Sequence, residues 1–272
     1  MSATCGAAIL ARNDAPNLRW ALRSLAWCDE IVVVDMESDD DTAEVARAAG
    51  ARVLTAPLVR EFDQARRALL GACRTDWVLL LDCDEIVPPP LAERLRQVVD
   101  AGNVDIAEMA FCNYLGDWRI QSCGYWPDYH ARLFRRNVVE VTGRVDDYLR
   151  FDPDARRLRL PPTPELSIHH FTYRDVSHFV AKMAEYTYLR AALNIERGRR
   201  PSLARVVGAP VKEFLRRFLL LGGIREGWRG LSLSLLLATY RLLFELQIAE
   251  QGGKIGAAGN EAVDRRRAAL LR

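Results

Sequence analysis

Three carboxylates stand within four residues at Asp82-Cys83-Asp84-Glu85, directly after the apolar run Trp77-Val-Leu-Leu-Leu81. Negative charge this dense repels itself unless a cation shares the space. A hard divalent ion, Mn2+ or Mg2+, is the natural partner, because such ions take one or two carboxylates and complete their shell with substrate phosphate oxygens. An acidic turn that caps the next helix is the plainer alternative, since an isolated Asp-x-Asp is common. The company of the cluster favours chemistry. Three other polar groups lie at the ends of apolar runs or on the helix that follows one: Arg12-Asn13-Asp14, Asp35 to Asp41, and Arg66-Arg67.

Those clusters need elements that bring them to one edge. Short apolar runs at Ala7–Ala11, Ile31–Val34, Arg52–Leu54 and Trp77–Leu81 alternate with segments of helical spacing. Leu18, Ala21, Leu22 and Leu25 share one helical face, and Val45, Ala46 and Ala49 share another. Near-continuous Val and Leu runs imply burial on both faces, as in a parallel sheet flanked by helices. The fold class is therefore α/β, a Rossmann-like, mostly parallel sheet flanked by helices. In an open sheet of this kind ligands bind beyond the carboxyl ends of the strands, where the polar clusters fall. Asp14-Ala-Pro-Asn17 reads as a turn into a helix start, and Asp41-Thr-Ala-Glu44 as a capping box.

Pro88-Pro-Pro90 breaks the chain, and a helix is predicted from about Leu91 to Ala101. Ile106–Leu115 and Arg132–Arg135 read as strands, with Trp118–Tyr129 as an aromatic-rich loop between them. Trp118, Tyr125, Trp126 and Tyr129 suit either a platform on which an apolar ligand face stacks or core packing. From Asp175 onward the pattern is helical. The predicted division is a first region 1–174, in halves of about 1–100 and 101–174, followed by a helical extension 175–272.

The 38 basic and 36 acidic residues nearly cancel, which gives no case for a nucleic-acid partner. Their distribution is uneven: from Arg199 to Arg229 eight Lys and Arg face only Glu213 and Glu226. This basic, apolar tail reads as helices packing on the body, as a surface dipping into a membrane interface, or as both on different faces. The longest uncharged apolar stretch, Gly230 to Tyr240, is shorter than the ~20 residues a membrane-crossing helix needs. Six cysteines without a C-x-x-C pair suit a reducing compartment, and the N-terminus has no signal-peptide pattern. The expected location is the cytoplasm, with peripheral association at the cytoplasmic face of the inner membrane.

The order Ile9-Leu-Ala-Arg-Asn-Asp14, Ala26-Trp-Cys-Asp-Glu-Ile-Val-Val-Val-Asp35, Ser38-Asp-Asp-Asp-Thr42, Arg66 and Trp77–Glu85 resembles the inverting glycosyltransferases of family 2, which have a GT-A fold. Within that family it is most similar to the bacterial branch of lipopolysaccharide core β-glucosyltransferases. The likeness continues through Cys123-Gly-Tyr-Trp-Pro-Asp128, Arg132-Leu-Phe-Arg-Arg136, His170-Phe-Thr-Tyr-Arg174 and Phe214-Leu-Arg-Arg-Phe218.

The resemblance implies that Asp35 reads the nucleotide base, with Arg12 and Asp40 nearby, and that Arg66 serves the pyrophosphate. It implies that Asp82 meets the ribose side of the donor and that Asp84 ligates Mn2+ or Mg2+, with His170 as a late metal or pyrophosphate ligand and His169 an unassigned neighbour. It further implies a nucleoside-diphosphate sugar, UDP-hexose first, as donor and a cell-envelope glycan or glycolipid as acceptor. By the same resemblance region 1–174 is a catalytic domain, with about 1–100 its donor half and about 101–174 its acceptor half. An inverting transfer needs a carboxylate base. Asp147 is the first candidate, where the branch carries Val-His-Glu and this chain has Val145-Asp-Asp147; Asp128 is the second. Glu37 and Arg67 also depart from the usual pattern. These departures keep a second reading open, a degenerate relative that binds nucleotide sugar or glycan without turnover. A nucleotidyltransferase fits less well, because Ala11-Arg-Asn-Asp lacks a glycine-rich phosphate loop.

Overall fold

The computed structural model describes residues 3–57, 63–142 and 149–255, with 264, 267 and 268. Two compact units are present, Met1–Arg119 with Trp126–Thr172, and Ile120–Tyr125 with Tyr173–Arg272.

The first unit is built on one mixed sheet. Strands β1 (Cys5–Ala11), β2 (Glu30–Asp35), β3 (Arg52–Thr55) and β4 (Trp77–Asp82) run parallel in the order β3-β2-β1-β4. They are linked by helices α1 (Ala15–Ser24), α2 (Thr42–Ala48) and α3 (Asp63–Ala72). A two-residue strand β5 (Glu85–Ile86) and helix α4 (Pro89–Ala101) follow β4. Then come β6 (Ile106–Leu115), β7 (Trp118–Arg119), β8 (Tyr129–Arg135), β9 (Val139–Val141), β10 (Leu149–Phe151), β11 (Arg157–Arg159) and β12 (Ile168–Tyr173). Strand β8 pairs antiparallel with both β4 and β6, so the sheet continues β4-β8-β6-β12-β5. The predicted α/β class, with parallel strands flanked by helices, is the one found.

Alternation along the strands explains why both faces are apolar. Trp77, Leu79 and Leu81 pack with Leu18, Leu22, Leu91 and Leu95 of α1 and α4, while Val78 and Leu80 pack with Leu69 and Leu70 of α3. With helices on both sides, every side chain from Trp77 to Leu81 is buried.

Three local expectations change. Asp41 stands at the start of α2 but makes no side-chain cap. Asp40 takes that part, accepting from the Thr42 N–H at 3.0 Å and from the Ala15 N–H at 3.2 Å, while Glu44 pairs with Arg47. Pro89 and Pro90 do not precede α4 but open it, where a missing N–H costs nothing. The stretch read as a loop from Trp118 contains β7, which turns back onto the end of β6.

The second unit holds α5 (Val176–Glu196), α6 (Leu203–Leu215), a π-helical turn at Arg216–Leu220, and α7 (Trp228–Gln251). Asp175 caps α5 by accepting from the His178 N–H at 2.7 Å. Helix α7 is 24 residues long, with an 18-residue stretch of mean hydropathy 1.4, so by length and composition it could cross a membrane. The shorter span expected from Gly230–Tyr240 missed this because the helix runs on through Arg241 and Glu245. The Glu245 carboxylate is buried and bonds Arg199 at 2.6 Å and Arg241 at 2.9 Å.

The first turn of α7 lies against the turn before it so closely that a Cβ on Gly230 would fall inside the envelope of the Gly223 carbonyl. Gly230→Ala is therefore expected to destabilise this unit by roughly 1–3 kcal/mol or more, as forced overpacking does. Thermal unfolding followed by circular dichroism checks it; an unchanged midpoint would refute the close approach.

Candidate active site

The acidic cluster sits where parallel strands end. Register places Asp35 beside Ala11 and Asp82 beside Leu10, so the two residues flank the end of β1, their backbones about 10 Å apart across two strand spacings. Strand β8 runs the other way, which brings its start, and Asp128 just before it, to the same edge of the sheet.

At the β1 and β2 ends, two loops are laced together. Asp35 is buried and accepts the Ser38 hydroxyl at 2.5 Å, and that same hydroxyl accepts the Asn13 N–H at 2.9 Å. Asn13 in turn accepts the Asp39 N–H at 2.7 Å. Asn13 and Glu37 hold left-handed backbone angles, φ 47° and 52°, which few side chains adopt without local hydrogen bonding. Arg12 is exposed beside this lacing. Asp40 spends both oxygens on amides of these loops, which makes it a part of their framework.

The turn Asp82–Glu85 closes on itself, the Asp82 N–H donating to Glu85 at 2.9 Å. One guanidinium serves both acids: Arg132 reaches Glu85 at 2.6 Å and Asp82 at 3.0 Å. Desolvation in the crowded turn works against the charge of Asp82, half-exposed though its side chain is, but Arg132, with weaker help from His170 and Arg66, holds its pKa down to about 2. Glu85 is fully buried, and that burial pushes its pKa up despite Arg132, with the Asp82 charge adding to the rise. Arg66 on α3 is thus within electrostatic reach of the cluster.

Strand β12 brings in the histidine. It pairs antiparallel with β5, His170 opposite Glu85, and the Phe171 N–H donates to the Asp84 carbonyl at 2.8 Å. His170 Nε2 then lies 3.5 Å from Asp84 Oδ1. Its other nitrogen, Nδ1, bonds Asn113 Oδ1 at 2.9 Å, and Thr172 donates to the same oxygen at 3.1 Å. An Nδ1–H donated to Asn113 leaves Nε2 as a lone pair aimed toward a carboxylate, an arrangement that invites a positive charge between them. Burial lowers the His170 pKa, but Asp84, Glu85 and Asp82 outweigh it and the net shift is upward.

Two donors sharing one small divalent ion at about 2.1 Å stand roughly 3.0–3.4 Å apart, close to the separation here. Asp84 and His170 therefore fit a shared Mn2+ or Mg2+. Among the described residues no third His, Cys, Asp or Glu joins them in a ready-made cage. That suits an ion whose remaining positions go to substrate phosphates.

His169, next in sequence, faces the opposite way. It bonds Tyr114 at 2.9 Å and the Pro164 carbonyl at 3.0 Å, and is structural. The predicted base Asp147 lies outside the described residues. Asp128 is half-exposed, pairs with His130 at 3.1 Å, and its carbonyl accepts from the Phe111 N–H. The Phe111 ring touches His130 at 4.5 Å and His170 at 5.7 Å, with Arg132 over it at 5.1 Å.

Of the aromatics expected to form a platform, Tyr129 and Trp126 each lie against an arginine. Tyr129 is tied to the Leu160 carbonyl at 3.1 Å under Arg159, on the other face of β8 from His130. Trp126 lies under Arg119, and Tyr125 belongs to the second unit.

Sequence reading passed over Arg132, Asn113, His130 and Phe111 as individual residues. Arg132 carried a signal: a charge between Ala131 and the apolar Leu133-Phe134, in a chain with three unneutralised acids upstream. Asn113, within the apolar run of β6, carried a similar one.

Comparison with known proteins accords with this geometry. The model of the family described as Glycosyl transferase family 2 matches residues 7–148. An uncharacterized glycosyltransferase of Rickettsia bellii (strain RML369-C) is 24% identical over 247 residues, covering 86% of this chain and 82% of that protein. The lipopolysaccharide core biosynthesis glycosyltransferase LpsC of Rhizobium meliloti (strain 1021) is 25% identical over 261 residues, covering 89% and 91%. Among solved structures, glucosyl-3-phosphoglycerate synthase from Mycobacterium tuberculosis with Mg2+ and uridine diphosphate aligns at TM-score 0.46 and 17% identity, over 70% of this chain and 78% of that one.

Proposed function

The chain belongs to glycosyl transferase family 2, and we propose that it moves a hexose, with inversion, from a nucleoside-diphosphate sugar to a cell-envelope glycan or glycolipid. The observation that carries the reading is the Asp84–His170 pair, 3.5 Å apart at the carboxyl edge of the sheet. A divalent cation, Mn2+ or Mg2+, held there would act as a Lewis acid on the departing diphosphate. Similarity to LpsC over most of both chains supports lipopolysaccharide core as the acceptor class.

The chain's own residues divide the remaining work. Asp35, fixed by Ser38, presents an acceptor to the N–H of a pyrimidine base, and exposed Arg12 stands beside it. Asp82, kept charged by Arg132, accepts from ribose hydroxyls. Arg66 supplies positive charge toward the diphosphate, where charge grows in the transition state. Arg132 lets three acids share one turn without expelling a substrate that is itself anionic.

Asp128 takes the proton of the acceptor hydroxyl, and His130 at 3.1 Å orients its carboxylate. Asp128→Asn is expected to lower kcat on the order of 10²–10⁴-fold, the usual worth of a general base, with donor affinity unchanged. An unimpaired variant would pass the role to Asp147.

The function is tested by release of nucleoside diphosphate from UDP-hexoses with Mn2+ and with chelator, and by NMR of the product's anomeric proton. Metal-dependent turnover with an inverted anomeric centre is expected. Metal-dependent binding without turnover on any acceptor would identify a degenerate family member instead.

A further inference from the structure

We propose that the outer face of α6 and of the turns after it docks on an anionic lipid bilayer. Leu203, Val207, Val211 and Leu215 recur every four residues along α6, which keeps neighbours on one side, and Leu219 and Leu220 extend the series into the π-helical turn. All six are exposed, Leu203 at 81% and Leu220 at 83%. Trp228 at the start of α7 is 82% exposed. Large apolar side chains left this open in series mark an interaction surface.

The charge pattern identifies what covers it. Among residues 203–229, every exposed position is apolar, glycine or alanine, or basic. The basic ones are Arg205, Lys212, Arg216, Arg225 and Arg229. The two acids of the segment are engaged: Glu213 pairs with Arg217 at 2.6 Å and more loosely with Arg216 at 3.4 Å, and Glu226 accepts the Gln121 N–H at 3.1 Å. A groove of about 530 Å3 runs along the helix, bounded by Val207, Val211, Leu215 and Leu220, with Lys212 and Arg216 among its walls. Greasy residues ringed by cations, with a tryptophan at their edge, match the layering of a bilayer surface, acyl chains below anionic headgroups. A second copy of the chain is disfavoured, because pairing this face with itself would set Lys212, Arg216, Arg225 and Arg229 against their own kind.

The docking is independent of the transfer reaction and is tested without it. The full chain is floated with vesicles of phosphatidylcholine alone and of phosphatidylcholine containing phosphatidylglycerol, at low and high salt. Co-flotation with the anionic vesicles at low salt is expected to exceed the neutral ones by about tenfold or more. Lys212→Glu with Arg225→Glu should remove at least that tenfold, and Val211→Ser with Leu215→Ser should weaken binding by a similar factor. All four positions are exposed, so circular dichroism spectra should match the parent; if the serine pair unfolds, the charge pair alone decides. The proposal is overturned if the parent chain floats with neither vesicle, or if the charge-reversed protein floats as well as the parent. It is also overturned if sedimentation shows a dimer that the serine pair dissociates while vesicles stay bare.

Discussion

Asp84→Asn should reduce kcat/KM for transfer by about 10²–10³-fold and remove the dependence of donor binding on Mn2+, while leaving the fold intact. The substitution keeps shape and removes charge. Among the described residues, Asp84 and His170 are the side chains placed to share a cation, and His170 sits 3.5 Å away with its far nitrogen committed to Asn113. Losing a carboxylate from a two-donor site leaves imidazole alone to hold a hard ion, a poor match in ligand type. Electrostatic stabilisation of a departing diphosphate is the largest contribution such a site makes, and removal of a single well-placed group elsewhere has cost about 10²–10³-fold. Two measurements check this, steady-state turnover and thermal shift. In the parent, donor plus Mn2+ at a hundredfold excess over Kd should add about 2.7 kcal/mol of stability, and in the variant chelator should make no difference. Retained turnover in Asp84→Asn would remove the metal from the mechanism.

The second large effect is on folding. Arg132→Met should destabilise the first unit by about 3–5 kcal/mol, the usual cost of taking one partner from a buried ion pair. The reason lies with Glu85, which is fully buried and has Arg132 at 2.6 Å as its cation. Asp82, half-exposed, can fall back on water and contributes less. Methionine fills much of the arginine stem's volume beside Phe111, so packing loss is minor. At roughly 2–4 °C per kcal/mol for a domain of this size, the melting temperature should fall by about 6–20 °C. Burial already pushes the Glu85 pKa up to about 8 beside Arg132, so without that cation the carboxyl takes up a proton, and adding Glu85→Gln to Arg132→Met should restore only the part of the loss that this uptake leaves. A melting temperature within two degrees or so of the parent would show that the pair is not the buried anchor it looks to be.

Both predictions turn on side chains of unequal visibility in the sequence. The parallel strands were legible because helices cover both faces, so β1, β2 and β4 had to be continuous apolar runs. The acids at their ends were legible for the same reason, as polar residues at the points where such runs stop. Asp82, Asp84, Asp35 and Arg66 do come to one edge. Asp40 shows where that logic stops. A carboxylate in a loop serves a ligand or the loop's own amides, and only coordinates show that its oxygens go to Ala15 and Thr42.

Partners contributed from distant strands were the hardest to see. Arg132 and Asn113 act through pairings 50 and 57 residues away, and no local pattern fixes which acid or histidine each will meet. The helical tail posed a different problem. Arg241 and Glu245 interrupt the apolar stretch as written, yet in three dimensions they pair with each other on one helix and do not break it.

The ladder between β5 and β12 is two residue pairs long, His169 with Ile86 and His170 with Glu85. A strand's side chains alternate, so a slip of a single residue would exchange which of the two adjacent histidines meets Asp84. So short a ladder gives little resistance to such a slip. His169 resists it from the opposite face: its two ring nitrogens are held by Tyr114 and the Pro164 carbonyl, and its ring stacks on Tyr114. Together with the pairing of β12 to β6 on its other edge, a residue that never touches the acidic turn thereby helps to fix which imidazole arrives there, in the manner of a key that allows a shaft only one seating.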